Sequence, residues 1–150
     1  MGPLLLSDLT HQTVDELYLE EKINGPVKNL NDGLINGTNA HATAINGLGS
    51  RFTMKVDEGK SYRLRIVNPV IDTHWQFGID NHTMTVISMD FVPTKPYTTD
   101  QISMGMGSFV ALSSPYLVPL GQRYDVIITA KKSSVADSFW MLPKQHYKQH

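Results

Sequence analysis

Lys60–Asp90 reads KSYRLRIVNPVIDTHWQFGIDNHTMTVISMD, and its deciding part is Ser61–Val67, where Tyr62, Leu64 and Ile66 alternate with Ser61, Arg63 and Arg65. A period of two sends every second side chain to the same face, so this run is a strand with one buried and one wet side. Leu120–Thr129 (LGQRYDVIIT) repeats the pattern: Tyr124, Val126 and Ile128 alternate with Arg123, Asp125 and Ile127, with Ile127 the exception. Working outward, Arg51–Asp57, Trp75–Asp80, Met84–Asp90, Tyr97–Ile102 and Phe139–Leu142 are further strand candidates. Turn clusters such as Asp57-Glu58-Gly59-Lys60 and Asp80-Asn81-His82 separate them. Roughly seven or eight short strands at such spacing indicate an all-β sandwich. The one helical segment is Thr13–Glu21, in which Val14, Leu17 and Tyr18 share a face and acidic residues fill the first turn. It is expected to plug one end of the sandwich. Lys22–Ser50, rich in Asn and Gly, is expected to run over the surface as loops around a short strand at Gly33–Asn36.

A chain of 150 residues is read as one domain, 1–150, long enough to bury about two-thirds of its unfolded surface without a disulfide or metal. A net charge of −1 with no basic stripe excludes nucleic acid and anionic membrane as partners. No run of about 18 apolar residues exists to span a bilayer. The opening MGPLLL lacks a cationic flank and a cleavage site, so it is not read as a signal peptide. Two N-glycosylation sequons, Asn36-Gly37-Thr38 and Asn81-His82-Thr83, are usable if the parent protein is secreted. The lack of Cys leaves the compartment open.

In order along the chain stand Leu5-Leu6-Ser7-Asp8, Asp15-Glu16-Leu17, Leu34-Ile35-Asn36-Gly37-Thr38, Gly59-Lys60, Arg63-Leu64-Arg65-Ile66 with Asn68, Asn81 to Val86, Asp90, Asp100 and Gly121 to Val126. In that order these pieces resemble the middle (second) domain of an ascomycete-type laccase, a multicopper oxidase. The resemblance covers about residues 3–142 apart from one gap, and the combination is specific where each piece is weak. It implies an all-β, cupredoxin-like Greek-key β-sandwich with one short helix. It further implies a secreted parent that oxidises phenols by one-electron steps and reduces dioxygen to water.

The family holds its coppers with a Cys and His in the third domain and with His-x-His pairs shared between the first and third. A soft thiolate and paired imidazoles are what such copper chemistry requires. This chain has no Cys and no His-x-His pair; its histidines are His11, His41, His74, His82, His146 and His150. His146 and His150 alone have i, i+4 spacing, in a polar tail read as solvated. No catalytic residue, metal ligand or bound cofactor is therefore assigned, and the chain by itself is expected to be inactive. Copper belongs to the parent enzyme, whose first and third cupredoxin domains are the expected partners.

What the resemblance does assign is one wall of the phenol pocket. The residue matching the family's substrate-contacting acid is Asp72, in Asn68-Pro69-Val70-Ile71-Asp72-Thr73-His74-Trp75. Loss of an electron makes a phenol O–H strongly acidic, so a carboxylate beside it assists by accepting the proton. The competing reading is a loop carboxylate in an Asx-turn or in solvent. Trp75 and Phe77 read as core, His74 as a structural His, Tyr124 as inward-facing, and Arg63 and Arg65 as off-core salt-bridge partners.

Two stretches depart from the family. Ser103–Tyr116 (SMGMGSFVALSSPY) is an atypical insert, read either as an extended loop or as a translated intron, and residues 143–150 form an atypical tail. From other classes, a stand-alone β-sandwich for adhesion or ligand binding remains an alternative. An electron-transfer cupredoxin conflicts with the missing Cys.

Overall fold

The computed structural model describes residues 2–25, 32–39, 50–70, 74–104, 121–131 and 138–146. Among the described residues ten strands and one helix follow in order: β1 Pro3–Leu9, α1 Val14–Asn24, β2 Asp32–Ile35, β3 Thr38–Asn39, β4 Ser61–Val67, β5 His74–Ile79, β6 Met84–Met89, β7 Val92–Thr99, β8 Gln101–Met104, β9 Arg123–Thr129 and β10 Met141–His146. Seven strands form one sheet in the order β3-β2-β1-β4-β9-β6-β7, and three form a second in the order β10-β5-β8.

The alternation that defines β4 and β9 is realised at their pairing. Leu64 lies opposite Val126 and Ile66 opposite Tyr124, and all four are buried. Arg63 and Arg65 face away, and the Arg63 guanidinium pairs with Asp125 on the same outer face. Ile127 breaks the polar alternation but not the geometry: it sits opposite Arg63, off the core. From the second sheet Trp75, Phe77, Ile79, Ile102 and Met104 join Leu4, Leu6, Leu64, Ile66, Met84, Val86 and Val126 in one apolar cluster, so the two sheets pack face to face. Gly33 is needed for that packing, because a Cβ there would overlap the indole of Trp75.

Tyr97–Ile102 is not one strand. The chain leaves the large sheet after Thr99, bends at Asp100 and enters the small sheet at Gln101. Thr99 Oγ1 makes the bend, donating to the carbonyl of Gln101 and accepting from its N–H. Pro93, Lys95 and Pro96 lie on β7, the edge of the large sheet, where proline and lysine discourage pairing with another chain. Arg51–Asp57 is no strand: Phe52 and Met54 pack on the core with strand-like alternation, but the segment joins neither sheet. Ser103 and Met104, the start of the expected insert, belong to β8 opposite Gln76 and Trp75; residues 105–116 lie outside the described residues. The tail also contributes a strand, with Met141 to His146 in continuous register with Ile79 to His74; residues 147–150 lie outside.

The helix starts where Thr13 caps it: Thr13 Oγ1 accepts from the Glu16 N–H and Glu16 Oε2 accepts from the Thr13 N–H. Gly25, at φ 87°, ends it. None of its residues is buried, so it does not plug the sandwich as the sequence suggested. Its apolar residues do not gather on one side. Val14, Leu17 and Tyr18 share one face while Leu19 and Ile23 lie on another, which leaves no single stripe to press against a sheet.

Candidate functional site

Strand directions divide the sandwich into two ends. The first collects the end of β4, the start of β9, the start of β5 and the β6–β7 hairpin. Here Asn68, fully buried, roots the loop that carries Asp72. Its N–H donates to the Gln122 carbonyl at 3.0 Å, and its Oδ1 accepts from the Val70 N–H at 3.4 Å. Pro69 disfavours helical backbone at Asn68, and Val70 beyond it is buried. Asp72 itself lies outside the described residues, as do Ile71 and Thr73. Trp75 follows at once as a buried core residue, as its alternation predicted; of His74 only the backbone, in β5, is described.

Beside that root stands a tight hairpin. Asp90 and Phe91 occupy the two turn positions at φ 45° and 67°, where Gly or Asn is usual. Arg123 straps the turn: its N–H donates to Asp90 Oδ1 at 2.8 Å, its carbonyl accepts from the Asp90 N–H at 2.9 Å, and its guanidinium lies 4.4 Å over the Phe91 ring. Tyr124, the next residue, is buried, and its phenol is pushed far above the ordinary value by burial, with Tyr97 and Asp90 adding to the rise. It is a neutral core residue at any physiological pH.

At the opposite end His82 is the organising residue, and sequence reasoning passed over it as one of six histidines. Its Nδ1 lies 2.8 Å from the Asp80 carbonyl and its Nε2 accepts from the Lys131 N–H at 3.2 Å, which fixes the Nδ1–H tautomer. The Phe139 ring meets it edge-on at 4.7 Å. The readable signal was its place directly after the Asp80-Asn81 turn, where a side chain can reach back to the strand it has just left. Next to it opens a cleft of about 910 Å3, lined by Phe52, Met54, Ile79, His82, Phe139 and Trp140. Arg51 stacks 4.2 Å over Trp140 at its rim. A smaller polar cleft of about 440 Å3 lies beside Asp80, Asn81 and Asp100. Both are far along the strands from Asn68.

The sequon asparagines are also apart. Asn36, at φ 48°, is exposed in the β2–β3 turn with Oδ1 accepting from the Leu5 N–H at 2.7 Å. Asn81, at φ 59°, is exposed in the turn between β5 and β6. Copper finds no fitting ligand set among the described residues. The chain has no thiolate, both nitrogens of His82 are committed to backbone, and among the described residues no three His, Asp or Glu side chains converge to hold a metal. Nor is any described helix long and apolar enough to cross a membrane.

A family model described as multicopper oxidase matches residues 2–112. The chain belongs to the multicopper oxidase family. It is 38% identical over 148 residues to Laccase-2 of Botryotinia fuckeliana and 39% identical over 141 residues to the laccase of Cryphonectria parasitica, covering 94% of this chain each time. It spans only about a fifth of those relatives, 22% and 21%. The crystal structure of the laccase from Botrytis aclada superposes with a TM-score of 0.74 at 38% identity, over 97% of this chain and 25% of that one. The fold is thus that of the laccase cupredoxin domains. Laccases as relatives favour a laccase-like oxidase domain over a stand-alone adhesion module.

Proposed function

We propose that this multicopper oxidase chain works as the copper-free middle domain of a laccase-type enzyme, bridging the first and third cupredoxin domains and forming one wall of the phenol pocket through Asp72. The observation that carries the reading is the match over 97% of this chain to only a quarter of a laccase. Copper in the neighbouring domains would take the electron from the phenol. The work of this chain is to orient the phenol and accept its proton at the Asp72 carboxylate. A hydrogen bond to a charged acceptor contributes about 1.5–3 kcal/mol, or about 10- to 150-fold in binding. Buried Asn68 supports that role, since its side chain turns the chain at the root of the loop. The parent is read as secreted, with Asn36 and Asn81 as glycan acceptors, and residues 103–116 and 143–150 as departures within a single domain.

Two measurements test this. The purified chain should contain no copper by elemental analysis and oxidise no methoxyphenol; stoichiometric copper with turnover would defeat the assignment. Placed in the Botrytis aclada laccase in exchange for the matching segment, the chain should support copper loading and turnover. In that chimera Asp72→Asn should lower kcat/KM for the phenol by about tenfold or more.

A further inference from the structure

The hairpin tip at Phe91 is an exposed aromatic in a backbone conformation that aromatics avoid. Phe91 is 76% exposed and Val92 65%, and neither contributes to the core. A non-glycine residue at φ 67° is held there against its preference, and such strain persists only where neighbours over-determine it. The neighbours are visible: both backbone groups of Arg123 bind Asp90, and the guanidinium lies on the Phe91 ring. The result is a rigid aromatic paired with an exposed arginine, two residue types enriched in protein interfaces. It is also continuous with the Asn68 loop, because Gln122, which precedes Arg123, accepts the Asn68 N–H.

From this we infer that the Phe91–Val92 tip with Arg123 is an interdomain anchor. Its occupant is a neighbouring domain of the same polypeptide, offering an apolar socket with a carboxylate at its edge for Arg123. The inference rests on the bridging role proposed above. The occupant follows from size. One aromatic buries about 150–250 Å2, so the tip falls far short of the roughly 1,200 Å2 that a free partner or second copy needs. A tethered domain faces it at an effective concentration in the millimolar range, where a small contact suffices. The family relationship supplies such domains, since the chain is about a fifth of its relatives.

Phe91→Gly separates this role from a local one by the sign of its effect. In the chain alone, glycine accepts the positive φ without strain and nothing buried is lost, so Tm should stay level or rise by about 2–4 °C. In the Botrytis aclada chimera the same change should lower Tm and speed copper loss by about tenfold. Arg123→Gln should act in the chimera in the same direction. Equal destabilisation of chain and chimera would make Phe91 a local packing residue and overturn the anchor. So would a chimera indifferent to Phe91→Gly, or a dimer of the chain in sedimentation that this substitution dissolves. If the unsubstituted chimera fails to load copper, the bridging reading falls and the anchor falls with it.

Discussion

The two ends of the sandwich differ in how completely they satisfy themselves. At the His82 end the imidazole uses both nitrogens, and the Gly59 N–H to Ala130 carbonyl and Ala130 N–H to Lys60 carbonyl bonds extend the sheet past its last residues. The Asn68 end is less complete among the described residues. There Asn68 Nδ2, Gln122 Oε1, Trp75 Nε1 and Thr94 Oγ1 are buried without a hydrogen-bond partner, and all four lie toward that end of their strands. An unsatisfied buried polar atom costs about 1–3 kcal/mol, so stability alone would not collect four in one place. Among the described residues, then, one end is satisfied by the domain's own groups, while the other carries the hairpin and the root of the loop on which the proposed work depends.

The largest test of that contrast is His82→Ala. It removes two hydrogen bonds and the edge contact with Phe139, and should cost about 2–3 kcal/mol in urea unfolding. Next comes Tyr124. Its folded pKa is raised, so the stability it contributes is whole below its unfolded value of 10.0 and is lost as pH rises above that. Above pH 10 unfolding should become easier by about 1.4 kcal/mol per pH unit, and Tyr124→Phe should flatten that slope. Asn68→Ala should cost less than His82→Ala, about 1 kcal/mol, because it removes an unpaired donor along with the bond to Val70. A larger loss at Asn68 than at His82 would break the comparison.

The smallest expected effect is at Glu16. Its carboxyl is held below the ordinary value of 4.5 by its bonds to the Thr13 backbone and hydroxyl. The support it gives α1 is therefore present above that value and fades as pH falls through the lowered one. Helix amide shifts followed by NMR from neutral to acid pH should show this, and Glu16→Gln should remove the dependence. Because nothing in α1 is buried, the global Tm should not follow.

Much of the fold was legible because period-two burial leaves a direct trace in sequence: Tyr62 to Ile66 and Tyr124 to Ile128 could be assigned to faces before any coordinates. Arg63 and Asp125 were readable as outward residues for the same reason. The failures have a common cause. Phe52 and Met54 alternate as a strand does, yet whether a backbone meets a partner depends on distant segments. Thr99 and Asp100 look like strand interior, and only the need to feed a second sheet makes them a bend. Thr13–Glu21 has the caps and composition of a helix, but its sequence says nothing about what covers it. His82 was hidden because Lys131, whose N–H meets its Nε2, lies 49 positions away and is brought to it only by folding.

By itself, then, the sequence determined the all-β class and the family, since these depend on residue types and local periodicity. Tertiary structure decided which strands share a sheet, that His82 closes one end, and that Phe91 is held out beside the Asn68 loop. Those outcomes rest on contacts between residues tens of positions apart, whose geometry no local pattern encodes.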